Sequence, residues 1–156
     1  MVTAPLWPEW FLLLRAHLEA AYPSEGCGLV LRGPKGIRAR IMANAYDRYH
    51  ARDPEHFPRT SRTAYLFDPR EWLGVSESAD ESSERVIAIV HSHVDVGAYF
   101  SAEDLLSAAP EGEPLLPGVH YLVVAINSGR ATDAKSFSWQ QAEFREVVPA
   151  FAIFQF

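Results

Sequence analysis

The chain has a single cysteine, Cys27, among 156 residues, so no internal disulfide can form. Basic residues are also few. Fourteen Lys and Arg stand against twenty Asp and Glu, a formal charge of −6. A protein that reads nucleic acid needs a basic face for the phosphates, which this balance argues against. Long apolar runs are missing too. The longest fall well short of the roughly 20 residues that span a bilayer. No secretory pattern opens the chain. The expectation is a protein of the reducing cytoplasm, with neither membrane nor nucleic acid as a partner.

What is present describes one domain over residues 1–156. That length closes one hydrophobic core and is short for two. A hydrophobic fraction of 48% with 22% charged residues is a globular balance. Pro8 to Ala21 places Phe11, Leu14 and Leu18 at helical spacing, with Pro near the start. Gly33-Pro34-Lys35-Gly36 sits between Gly28–Arg32 and Ile37–Ala45 and reads as a hairpin. Residues Tyr46 to Thr63 are polar and interrupted by Pro54 and Pro58, and read as a long ordered loop. Ala64–Phe67 reads as a short strand. Asp68-Pro69-Arg70-Glu71 carries a cap, an N1 proline and a capping-box Glu, which starts a helix to about Val75. The acidic, Ser-rich stretch Ser76–Glu84 reads as a solvated connection. Val119–Ile126 and Ala134–Trp139 read as strands around a turn at Asn127–Arg130. Alternating strands and helices of this kind indicate an α/β domain, a mixed sheet flanked by helices.

The chemistry concentrates between His91 and Asp104. Arg85 to Val90 is a β-branched, unbroken run, a strand buried on both faces. It ends in His91-Ser92-His93. Side chains alternate along a strand, so both imidazoles face the same way if the strand continues through them. Seven residues later comes Ser101-Ala102-Glu103-Asp104, with Ser101 suited to cap a helix running to about residue 109. Taken alone, Ser101 and Asp104 are an ordinary capping box. Two histidines at a strand end and a carboxylate at a helix start can instead converge on one ion. Three such ligands are the kit of a catalytic zinc site, which keeps a fourth position open for water.

Upstream the chain reads Pro23-Ser24-Glu25-Gly26-Cys27-Gly28. Together with His91-Ser92-His93 and the spaced Ser101 and Asp104, this pattern resembles the JAMM (JAB1/MPN/Mov34) metalloprotease family, in its small bacterial branch. Val94 and Phe100 stand where that branch often has proline. The resemblance implies a single MPN/JAB-like domain of cytidine deaminase-like architecture. It implies His91, His93 and Asp104 as ligands of Zn2+, rather than the neighbouring Asp95 or Glu103. It implies Glu25 as general base toward the water activated by the metal, and Ser101 as donor to the developing oxyanion. A hydrolase of this kind needs a carboxylate that moves a proton without itself being a strong ligand. The implied activity is a peptidase or isopeptidase acting on the C-terminal tail of a ubiquitin-like or sulfur-carrier protein. The alternative is a catalytically inactive MPN scaffold that has lost its metal. A zinc deaminase would want His-x-Glu and a Pro-Cys-x-x-Cys pair, for which one cysteine does not suffice.

Other residues have two readings each. Cys27 is a reactive thiol or, as free cysteines usually are, a small packed apolar residue. His17 and His120 read as structural or surface histidines. Arg48, His50, Arg52, His56, Arg59 and Arg62 form a basic segment in an acidic protein. That segment is either a solvated loop or a surface that holds an acidic partner or a chain terminus. The apolar end, residues 150–156, is an extended segment packed on the body or the seam of a homodimer.

Overall fold

A computed structural model describes residues 7–155. Its centre is a six-stranded mixed sheet in the order β2-β1-β3-β4-β5-β6. The strands are β1 (Cys27–Gly33), β2 (Gly36–Met42), β3 (Arg85–Val94), β4 (His120–Asn127), β5 (Arg130–Gln140) and β6 (Glu143–Val147). The helices are α1 (Leu12–Ala21), α2 (Tyr46–Arg52), α3 (Pro69–Glu81) and α4 (Ala102–Ala108). β3 and β4 are parallel and every other neighbouring pair is antiparallel. A parallel pair needs a crossover, and α4 lies within it. This is the α/β domain expected from the sequence. Among the described residues no helix is long and apolar enough to cross a membrane.

Each sheet face carries its own core. On one face Phe11, Leu14 and Leu18 from the N-terminal helix pack on Val30, Val90 and Leu122. A short 3₁₀ helix, Ala150–Phe154, closes the same face with Ile153 and Phe154. On the other face Val75 and Ala79 of α3 and Ala108 of α4 meet Leu29, Leu31 and Ile89. Two glycines set the close packing under β1. A Cβ on Gly28 would lie 2.6 Å from the Arg40 carbonyl and 2.6 Å from Leu14, and one on Gly26 would lie 2.9 Å from Leu18.

Several elements differ from the sequence reading, each for a local reason. Residues 46–52 are helical, not loop. Asn44 Oδ1 accepts from the Tyr46 N–H, Asp47 sits in the first turn, and His50 and Arg52 sit in the last, which suits the helix dipole. No residue of α2 is buried, so apolar periodicity had nothing to report. Ala64–Phe67 is not a strand. The Leu66 N–H goes to the Asn44 side chain and its carbonyl accepts from the Ala45 N–H, in place of a ladder. α3 continues past Val75 to Glu81, because Ala79 carries its buried stripe one turn further. β6 has no counterpart in the sequence reading. Its hairpin turns at Gln141 and Ala142, both with positive φ and neither a usual residue for such a turn. The C-terminal segment is a 3₁₀ helix on the chain's own sheet rather than extended; Met1 to Leu6 and Phe156 lie outside the described residues.

Candidate metal centre

The imidazoles of His91 and His93 point to the α3/α4 side of the sheet, at the carboxyl end of β3 where it runs parallel to β4. Crevices at the carboxyl ends of parallel strands are where α/β sheets place ligands. α4 begins here. Ser101 Oγ accepts from the Asp104 N–H at 3.0 Å, and Asp104 Oδ2 accepts from the Ser101 N–H at 2.9 Å. The capping box is therefore real, and it coexists with the second role open to Asp104. The cap fixes the Asp104 carboxylate between the two imidazoles. Oδ1 lies 3.1 Å from His91 Nε2, Oδ2 lies 3.1 Å from His93 Nε2, and the two Nε2 atoms are 3.2 Å apart.

These separations suit a shared ion. Bonds of about 2.1 Å at tetrahedral angles would put ligand atoms about 3.4 Å apart. The three side chains are the group of described His, Cys, Asp and Glu residues that can hold a metal. The donor set, two imidazole nitrogens and one carboxylate oxygen, can hold a divalent metal and is consistent with zinc binding that leaves a fourth position free. His93 is oriented by its other nitrogen, Nδ1, which lies 3.2 Å from the Gly97 carbonyl. A donor Nδ1–H there leaves the Nε2 lone pair for a metal. The His91 ring is stacked on Tyr65 at 4.4 Å, and its Nδ1 is buried without a hydrogen-bond partner among the described residues.

The electrostatics separate the two carboxylates. Burial pushes Asp104 up, but hydrogen bonds from His91 and His93, the charge of His91 and the Ser101 N–H hold it far below the ordinary range. Burial pushes Glu25 up to about 8; the charge of Asp104 adds to this, and Arg59 opposes it. Burial likewise lowers His91, against the pull of Asp104. One carboxylate is thus kept as an anion beside the imidazoles, and the other titrates near neutrality.

Glu25 stands just before β1, 6% exposed, on the same cavity of about 390 Å³ as His93, Ser101 and Asp104. Cys27 is opposite His91 in the β1–β3 ladder, which brings the Glu25 backbone alongside the histidine strand. All five site residues expected from the sequence therefore meet in one place. Asp95 does not join them. It bonds the Tyr22 hydroxyl and the Ser128 N–H at the surface. Glu103 lines the same cavity but stays out of the donor cluster, with its side chain 58% exposed. Cys27 is fully buried and its thiol is pushed up to about 12, chiefly by burial, so it is a packing residue.

Sequence reasoning passed over the residues that hold Glu25 in place. Ser92, between the two histidines, accepts the Gly26 N–H at 2.8 Å. The Ser61 carbonyl accepts the Glu25 N–H at 2.6 Å. Asn44 Nδ2 donates to the Glu25 carbonyl at 2.9 Å and to the Ala64 carbonyl at 3.0 Å. Only Ser92 had a signal, as the inward partner of two strand residues that face the other way.

A family profile described as prokaryotic homologs of the JAB domain matches residues 8–140. Among solved structures, the fold is similar to the solution structure of a protein from Desulfitobacterium hafniense. Identity is 22% with a TM-score of 0.63, over 93% of this chain and 90% of that one. It is also similar to the solution structure of a protein from Salinibacter ruber (strain DSM 13855), at 26% identity and a TM-score of 0.56, over 92% of this chain and 88% of that one. No curated protein matches.

Proposed function

The chain belongs to the prokaryotic JAB-domain family, and from that membership we propose that it is a zinc-dependent peptidase or isopeptidase. The bond cleaved is an amide at the C-terminal tail of a ubiquitin-like or sulfur-carrier protein. One observation carries the reading. His93 and Asp104 of the three-donor cluster line one cavity with a buried carboxylate, Glu25, and a serine hydroxyl, Ser101.

His91, His93 and Asp104 would hold the ion. When bound there, zinc would make water a nucleophile near neutral pH and polarise the carbonyl. The chain's own residues supply the rest. Glu25 takes a proton from the attacking water and delivers it to the nitrogen of the departing amine, so the C–N bond breaks and a new carboxylate forms. Ser101 Oγ already accepts from the Asp104 N–H, which leaves its hydroxyl proton to donate to the carbonyl oxygen as that oxygen gains charge. Gly97 holds the His93 ring in register, and Tyr65 holds that of His91.

The test begins with metal content. The purified protein should carry about one zinc per chain, and the His91→Ala/His93→Ala variant none. Glu25→Gln should keep the zinc and lose cleavage of a ubiquitin-like protein bearing a C-terminal extension. A wild-type protein that takes up no zinc, even when it is supplied, would replace this reading with that of a scaffold without metal.

A further inference from the structure

Two arginines line the same cavity as Glu25, His93, Ser101 and Asp104. Without Arg59 and Arg62 the charges on that wall would be mostly acidic, from Glu103 and Asp104. Both guanidinium groups come from the segment between α2 and α3, which is anchored and not a loose surface loop. Ser61 lies between them in sequence and is 6% exposed. It donates its N–H and its hydroxyl to the Asp47 carboxylate at 2.7 and 2.6 Å. Its hydroxyl also lies 2.8 Å from Ser24 Oγ. Its carbonyl accepts the N–H of Glu25 itself. The turn that carries both cations is therefore tied to the backbone of the base.

Neither cation is tightly paired. Arg59 reaches Glu103 at 3.7 Å, too long for a hydrogen bond. Arg62 has no carboxylate within salt-bridge distance among the described residues. One unpaired and one loosely paired guanidinium fork beside a reaction cavity, in a chain of net charge −6, suit the binding of a carboxylate.

The position of that carboxylate follows from the hydrolase reading, on which this inference rests. Glu25 delivers its proton to the leaving nitrogen. In a C-terminal residue the free α-carboxylate is two bonds from that nitrogen, within about 3 Å of it. It therefore lies on the Glu25 side of the cavity, where Arg59 is near enough to oppose the upward shift of Glu25. An internal peptide bond would bring a neutral amide to the same place. We propose that Arg59 and Arg62 form a carboxylate subsite on the leaving-group side, so that the substrate class is a chain whose single C-terminal residue is released as a free amino acid. Water adds its oxygen to the acyl carbon and a proton to the amine. The products are the shortened chain, with a new carboxylate, and the amino acid. Arg59 exchanges its loose contact with Glu103 for the substrate.

The test uses acetyl-Gly-Gly-Ala as the free acid and as the C-terminal amide, with acetyl-Gly-Asp-Ala amide as a third probe. Binding to the zinc-free protein is followed by NMR titration, and zinc uptake and cleavage are measured separately. The free acid should bind about tenfold to a hundredfold tighter than its amide, the range for charge-assisted hydrogen bonds. Arg59→Gln/Arg62→Gln should erase that preference and leave zinc uptake unchanged. Equal binding of acid and amide would overturn the subsite, as would an acid preference that survives the double substitution. Tight binding of the Asp-containing amide would overturn the assignment to a chain end, since a side-chain carboxylate would then serve. Failure of the two readings is distinguishable. No zinc uptake with the arginine-dependent preference intact removes the hydrolase and the leaving-group assignment, and leaves the two arginines as a carboxylate-binding site alone. Equal cleavage of acid and amide keeps the hydrolase and removes the subsite.

Discussion

Replacing Glu25 by glutamine in the chelated protein tests the electrostatics of the site independently of turnover. The Glu25 carboxyl moves from 4.5 to about 8 on folding, mainly because it is buried. A raised carboxyl means that the folded protein binds a proton the unfolded chain has released. Stability therefore falls as pH rises above 4.5, and the loss levels off above about 8. At pH 7 the ionised form is favoured about 300-fold in the unfolded chain and is still the minor form in the folded one, a cost of about 3 kcal/mol. The amide of the Glu25→Gln variant has the same shape and does not titrate. Urea denaturation of both proteins at pH 5, 6, 7 and 8, in EDTA, should show the variant gaining about 3 kcal/mol on the wild type across that window. A fixed penalty for burying the amide would offset the two curves without tilting them. His91, lowered by burial, contributes in both proteins and cancels in the difference. Parallel profiles would refute the claim that Glu25 is held protonated by its surroundings, and with it the argument for a base poised near neutrality.

Ser92→Ala removes the buried acceptor of the Gly26 N–H and should cost about 1–3 kcal/mol in urea melts. Ser101→Ala removes both the α4 cap and the proposed donor. The metal-loaded protein should lose about 10²–10³ in kcat with zinc content unchanged, and about 1 kcal/mol of stability; a variant as fast as wild type would remove Ser101 from the chemistry. Gly28→Ala drives a methyl group against the Arg40 carbonyl and Leu14, and should lower Tm by the equivalent of about 1–3 kcal/mol. Cys27 should stay unreactive to a thiol reagent at pH 8 until denaturant is added, because it is fully buried and its thiol is pushed up to about 12; rapid labelling of the folded protein would contradict that.

The parts of the fold readable in the sequence are those written in apolar periodicity or in turn chemistry. α1 announces itself through Leu14 and Leu18 with Phe11 just ahead of it, β3 through its β-branched run, and the β1–β2 hairpin through Gly33-Pro34-Lys35-Gly36. The unreadable parts rest on other physics. α2 buries nothing and is capped from outside by the Asn44 side chain. The segment 64–67 satisfies its backbone through Asn44 and Ala45 rather than through a strand partner. β6 depends on a turn made by Gln141 and Ala142, which carry no local preference for positive φ. In each case the determining partner lies in a side chain or turn conformation that pattern reasoning does not weigh.

The site divides along the same line. The three clustered donors sit at a spacing that strand and helix geometry can interpret, so the sequence could point to them. The residues around Glu25 could not be found that way, because they act on the backbone of the base and not on its carboxylate. Ser92 bonds Gly26, Ser61 bonds the Glu25 N–H, and Asn44 bonds the Glu25 carbonyl. These contacts come from three separate stretches of chain, and none of them stabilises the carboxylate in its ionised form. Burial is then the main force on its proton, and the raised value of about 8 follows. A side-chain donor to the carboxylate would have positioned Glu25 as well, and would have pulled it down into the range that Asp104 occupies. Holding the base by its backbone achieves placement without that penalty. It also explains how two carboxylates on one cavity come to have opposite proton affinities: among the described residues, Asp104 is held by hydrogen bonds to its oxygens, and Glu25 by hydrogen bonds to its backbone alone.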